Sequence, residues 1–204
     1  MLTTPPLELP GVSAPENAAG RPAGARQRIL GTASALFYAV GIRAVGIDRI
    51  IAEAGVAKAT FYHHFPTKDA LVCAYLAGLH DRQASAFTAL SAGIEPVDVV
   101  LAMFDALGEF ACGPGFRGCA FVNAAVEYPD PDSPVRRIVA DHRRWYADAV
   151  RELLVASGHR TPDATARMLV MLRDGVVVGG QLDDPAEVRA TLRASVTALI
   201  AAHD

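Results

Sequence analysis

Cysteine, tryptophan and long apolar runs are what this chain of 204 residues has least of. Its three cysteines, Cys73, Cys112 and Cys119, are too few and too unevenly spaced for a disulfide framework, and they read as small buried hydrophobes. Cys112 and Cys119 flank the loop GPGFRG, which leaves a thiol redox role open for them. No apolar stretch reaches the roughly 18 to 20 residues that a membrane-spanning helix requires, so no membrane partner is expected. The opening residues, MLTTPPLELPGVSAPENAAGRPAGA, hold no basic segment followed by an apolar one. A secretory signal is therefore not expected, and the cytoplasm is the expected compartment. Catalytic apparatus is missing as well: there is no nucleophile elbow, no glycine-rich phosphate loop and no His/Cys cluster at metal-ligand spacing. His142, Glu127 and a cysteine are the only conceivable acid, base and nucleophile, and nothing fixes their geometry. No catalytic residue, metal or cofactor is expected, and an enzyme is the least supported reading.

What the chain does contain is helical amphipathicity. Hydrophobic residues make up 51% and charged residues 20%, the balance of a folded, mostly helical protein. Residues 1 to 22 carry prolines at 5, 6, 10, 15 and 22 with few large apolar side chains, which predicts a disordered tail. The stretch from Ile47 to Phe65, IDRIIAEAGVAKATFYHHF, predicts a helix-turn-helix. Ile47, Ile50, Ile51 and Ala54 form one helical stripe, and Gly55 supplies the residue that leaves a helix with positive φ. Phe61 and Phe65, four apart, anchor a second short helix over which Lys58, Thr60, Tyr62 and His63 spread. Upstream, Ile29, Ala33, Leu36, Phe37 and Val40 give a bracing helix that Gly41 ends. Downstream, Pro66 stops the second helix, and Thr67 caps a long one through Leu71, Tyr75, Leu79 and Phe87. Further helices start at Pro96, at Cys119, at Pro134 with Ser133 or Asp132 as cap, near Asp163 and at Pro185. The predicted fold class is all-α, with about nine helices.

The formal net charge of −3 conceals a division along the chain. From Arg21 to Arg82 there are eight Lys/Arg against four acids, a balance of +4 that leaves −7 for the remainder. A basic front and an acidic body suit a protein that presents one end to a polyanion. Lys58 and Thr60 are suited to phosphate, one as a mobile point charge and the other as a hydroxyl donor. Lys68 lies in the first turn after Thr67, where free backbone N–H groups already favour an anion. Arg43 sits in the loop before the motif, and His64 is expected to pack beside the bracing helix.

Residues 25 to 71 resemble the DNA-binding domain of the TetR/AcrR family of transcriptional regulators. The resemblance is carried by Ala33 and Phe37, Gly41, Ile50, Ala54-Gly55-Val56, Lys58, Thr60, Tyr62, Phe65 and the closing Pro66-Thr67-Lys68-Asp69-Ala70-Leu71. It implies an N-terminal three-helix DNA-binding domain over 23–70, after the tail, and a helical ligand-binding and dimerisation domain over 71–204. It also implies that Tyr62 and His63 meet phosphate or base edges. Two departures stand out: family members usually have Ser or Thr where this chain has Val45 and Ala57, which leaves Gly46 as a weaker cap for the first helix of the motif.

The resemblance further implies a double-stranded DNA operator, a homodimer and a small-molecule effector. Apolar residues at helical spacing on the last two helices, Leu169, Leu172 and Val176 with Leu192, Val196, Leu199 and Ile200, are the expected subunit interface. Arg173 and Asp174 are expected to pair across it. The effector is expected among the helices between about 68 and 182. Its candidate contacts are Asn123 and Glu127, which share a helix face, with Phe104, Phe110, Phe121, Trp145, Met168 and Met171. Asn123 and Glu127 have an equally open structural reading, bonded to each other or to Arg117. The function implied is a ligand-released repressor; the alternative is a helical dimer without regulated operator binding.

Overall fold

The computed structural model describes residues 24 to 201, and the tail expected over residues 1 to 22 lies outside them. Among the described residues the regular structure is helical throughout: α1 (Ala25–Val40), α2 (Ile47–Ala54), α3 (Lys58–His64), α4 (Lys68–Ser91), α5 (Pro96–Ala111), α6 (Ala120–Glu127), α7 (Pro134–Ala156), α8 (Pro162–Leu182) and α9 (Pro185–Ala201). Local chemistry sets the boundaries. Gly41 ends α1 with φ 98° and ψ 152°, a conformation open to a residue without Cβ. Gly55 ends α2 in the left-handed region. The Thr67 hydroxyl accepts from the Ala70 N–H at 3.0 Å and caps α4. Ser133, not Asp132, caps α7, its Oγ accepting from the Arg136 N–H at 3.2 Å. Asp184 does the same for α9 through the N–H groups of Ala186 and Glu187.

The described residues pack as two units, one combining residues 24–82 with 120–139, the other combining 83–119 with 140–201. In the first unit α1, α2 and α3 pack on one another around Ile29, Ala33, Ile50, Phe61 and Leu71, all of them sealed from solvent. Here α6 joins the unit of the helix-turn-helix although it lies far along the chain; the first of its hydrogen bonds into the α1–α2 loop spans 85 residues.

In the second unit α5, α8 and α9 pack together, and with α7 they enclose Phe104, Val150, Leu154, Leu169, Val176 and Leu192. Gly180 lies so close to the Ala111 carbonyl that any Cβ there would overlap it. This core holds several residues of the expected subunit interface: Leu169, Val176, Leu192 and Val196 are 0%, 6%, 2% and 1% exposed within a single protomer. Leu172, Leu199 and Ile200 are half-buried against the same core. The open apolar face of α8 is the opposite stripe, Met168, Met171, Val178 and Leu182, the last 77% exposed. Apolar residues surround α8, so spacing alone could not tell which stripe faces inward.

Arg173 and Asp174 also find partners inside the protomer. The Arg173 guanidinium lies 4.8 Å above the Tyr146 ring, donates to the Cys119 sulfur at 3.5 Å and pairs with Asp174 at 3.1 Å. Asp174 in turn accepts a two-pronged contact from Arg143.

Candidate nucleic-acid interface

The short helix α3 is held by one side and free on the other. Phe61 and Phe65 are 0% and 3% exposed, with ring centroids 6.3 Å apart, and the Arg26 guanidinium stands 5.3 Å from the Phe65 ring. Opposite them Lys58, Tyr62 and His63 are exposed and Thr60 is half-buried. Tyr62 stands edge-on to Phe61 at 5.3 Å, so the buried ring steadies the exposed one. The face that remains offers an ammonium, a hydroxyl, a phenol and an imidazole, the groups that reach phosphates and base edges. His64 is half-buried and contacts His63 edge-on.

Lys58 is not idle in the free protein. Its Nζ lies 3.4 Å from Asp48 Oδ1, with both side chains largely in solvent. Such a surface pair contributes little to stability, and a phosphate would displace the carboxylate. Neither α2, with Gly46 at its N-cap, nor α3, with Ala57 at its N-cap, has a side-chain cap. The departure at Val45 has a physical account: the side chain is fully buried, so the position serves the core instead of a helix start.

The flanks of the motif carry the remaining expected contacts. Arg43 is exposed in the loop between α1 and α2. Lys68 opens α4 half-buried, and burial pulls its ammonium pKa down while Glu127 and Asp69 act the other way. Glu127 itself is turned to the loop between α1 and α2. Its Oε1 accepts from the Ile42 N–H at 2.9 Å and its Oε2 from the Arg43 N–H at 2.5 Å. These partners are backbone groups, neither the Asn123 nor the Arg117 of the structural reading, and sequence spacing gave no means of finding them.

The other expected ligand residues are divided between the two units. Phe121 is buried and Asn123 exposed in the first. In the second, Phe104 is a core residue at 1% exposure, Phe110 packs edge-on against Phe116, and Met168 and Met171 lie open on α8. Trp145 is half-buried, with Phe87 at 6.0 Å and His142 at 5.5 Å between ring centroids. Phe87, His142, Tyr146 and Arg173 were not among the expected contacts. The sequence HRRWY does hold a signal for His142, three positions before Trp145 on one helix face. Among the described residues no group of three His, Cys, Asp or Glu side chains is placed to hold a metal ion, and no helix is long and apolar enough to cross a membrane.

Comparison with known proteins agrees with this geometry over both units. Residues 29–75 match the family described as bacterial regulatory proteins of the tetR family, and residues 132–202 match the tetracyclin repressor-like C-terminal domain. The crystal structure of SCO4454, a TetR-family transcriptional regulator from Streptomyces coelicolor, is 46% identical, with a TM-score of 0.81 over 86% of this chain and 94% of that one. A tetR-type regulator from Streptomyces avermitilis is 26% identical, with a TM-score of 0.78 over 89% of this chain and 99% of its own. The HTH-type transcriptional regulator LmrA of Bacillus subtilis is 26% identical over 160 residues, 75% of this chain and 85% of LmrA. A helix-turn-helix with its polar face free, followed by a helical domain of the matching type, makes this chain a DNA-binding, non-enzymatic member of the TetR family of transcriptional regulators.

Proposed function

We propose that the protein is a dimeric repressor that reads a double-stranded operator and leaves it when a small hydrophobic or amphipathic molecule binds the second unit. The observation that carries the DNA part is α3, anchored by Phe61 and Phe65 with Lys58, Tyr62 and His63 in solvent. Lys58, Thr60, Lys68 and Arg43 take phosphates; Tyr62 and His63 reach base edges, and the backbone at Gly46 starts a helix against the DNA. One short helix discriminates poorly, which favours two copies on two half-sites. The exposed stripe Met168, Met171, Val178 and Leu182 on α8 supplies an apolar surface for the second copy.

For the effector, the aromatic layer of Phe87, Trp145, His142 and Tyr146 is the best-supported wall. It offers ring faces for apolar stacking and, through the buried His142, a polar edge. Trp145 is the chain's only tryptophan, so its fluorescence reports directly on this region. Purified protein is expected to prefer a duplex from upstream of its own coding sequence over mixed-sequence DNA at moderate salt. Equal binding to both would overturn the operator reading and favour the unregulated dimer. Molecules that quench Trp145 should also release the duplex; quenching that leaves the duplex bound would remove the release step.

A further inference from the structure

Glu127 makes the most unusual contact in the first unit. Two successive backbone N–H groups, from Ile42 and Arg43, converge on its two carboxylate oxygens at 2.9 and 2.5 Å. Consecutive amides turned to one side form an anion-binding nest, and Gly41 makes this one possible. Its φ of 98° turns the chain, and a Cβ at residue 41 would stand 3.4 Å from Glu127 Oε1. The residue just past the end of α6, Tyr128, makes a second tie. The Tyr128 hydroxyl donates to Asp69 Oδ1 at 2.8 Å, in the first turn of α4 beside Lys68. Arg136 secures the end of α6 by donating to the carbonyl oxygens of Ala125 and Tyr128. The last residue of α6 and the one after it therefore grip both flanks of the helix-turn-helix, the loop that carries Arg43 and the helix start that carries Lys68.

We infer that Glu127 is a positioning residue for DNA binding: it fixes the α1–α2 loop so that Arg43 is presented to a phosphate, with Tyr128 holding the opposite flank. The inference rests on the DNA-contact reading given above. Its value as a test lies in the sign. A carboxylate beside a phosphate-binding surface repels DNA, so on charge alone its removal tightens binding. A positioning role demands the reverse. The loop gains freedom when its two charge-assisted hydrogen bonds are lost, and Arg43 must then be ordered at the moment of binding.

The experiment measures the affinity of the full chain for mixed-sequence duplex DNA across a salt series, for wild type, Glu127→Ala, Glu127→Gln and Tyr128→Phe. Glu127→Ala is expected to bind about five- to tenfold more weakly, with the slope of log K against log salt flattened by about one phosphate contact. Glu127→Gln retains one acceptor oxygen and should fall between Glu127→Ala and wild type. Tyr128→Phe should weaken binding with a smaller change of slope. Amide exchange at residues 41–46 should accelerate in both Glu127 variants while exchange in the core of α8 and α9 stays unchanged. Binding by Glu127→Ala that is equal to or tighter than wild type, with exchange in the loop accelerated, overturns the inference. Because the probe is mixed-sequence DNA, that failure is distinct from failure of the operator reading, which shows only as a lack of preference for the upstream duplex.

Discussion

Asp48 competes for the cation that α3 offers to DNA. It stands in the first turn of α2, where a carboxylate is favoured by the helix dipole, and it holds Lys58 at 3.4 Å in the free protein. Asp48→Asn should therefore tighten binding to any duplex by roughly two- to fivefold, since a rival for Lys58 and a repulsive charge are both removed. Lys58→Ala should weaken binding to all sequences alike and reduce the salt slope by about 0.9, the share of one phosphate. Both are read from the same salt-dependent titrations, and a Lys58→Ala protein that binds like wild type would remove Lys58 from the interface. At this scale the sequence was informative where a residue's partner is its own helix. Lys58, Tyr62 and His63 could be placed outside because Phe61 and Phe65, four apart, had to be inside. Glu127 could not be read in that way, because its partners are backbone groups, which carry no side-chain signature, 85 and 84 positions away.

At the scale of elements, α7 and α8 are joined in the second unit by the layer of Tyr146, Arg173, Asp174 and Arg143. Burial pushes the Tyr146 phenol up to about 12 from its ordinary value of 10.0, with Arg173 opposing and Asp174 adding to the rise. A phenol that keeps its proton longer in the folded chain makes the folded state the better proton binder between those two values. Its contribution to stability is therefore complete below the unfolded value and is lost as pH rises through the folded one. Burial and the hydrogen bond to Asp69 push the Tyr128 phenol up as well, so phenolate absorbance should show two tyrosines titrating late, and Tyr146→Phe should remove one of them together with its share of the alkaline loss of stability. Element boundaries were legible because caps are local: Thr67, Ser133, Asp184, Gly41 and Gly55 each act within a few residues of their own position. The inward side of α8 was not, because Leu169 and Val176 on one stripe and Met168, Met171 and Val178 on another are equally apolar in one dimension. Only the neighbours α5, α7 and α9 decide between them.

At the scale of the whole molecule, the stripe of Met168, Met171, Val178 and Leu182 is the feature one protomer leaves unfinished. On the dimer proposed above, replacing Met171 and Val178 together with Asp should give a folded protein that sediments as a monomer, while wild type is expected to sediment as a dimer. Its affinity for the upstream duplex should fall by two orders of magnitude or about that, since two half-sites can no longer be read at once. A double variant that stays dimeric would move the interface elsewhere. An uncovered apolar stripe also ties the working species to abundance. Pairing is governed by mass action, so the melting temperature should climb with protein concentration, and the fraction able to span two half-sites should climb with it. On the dimer proposed above, the regulator is sensitive to its own dosage: doubling the gene's expression raises the count of competent pairs more than twofold while monomers predominate.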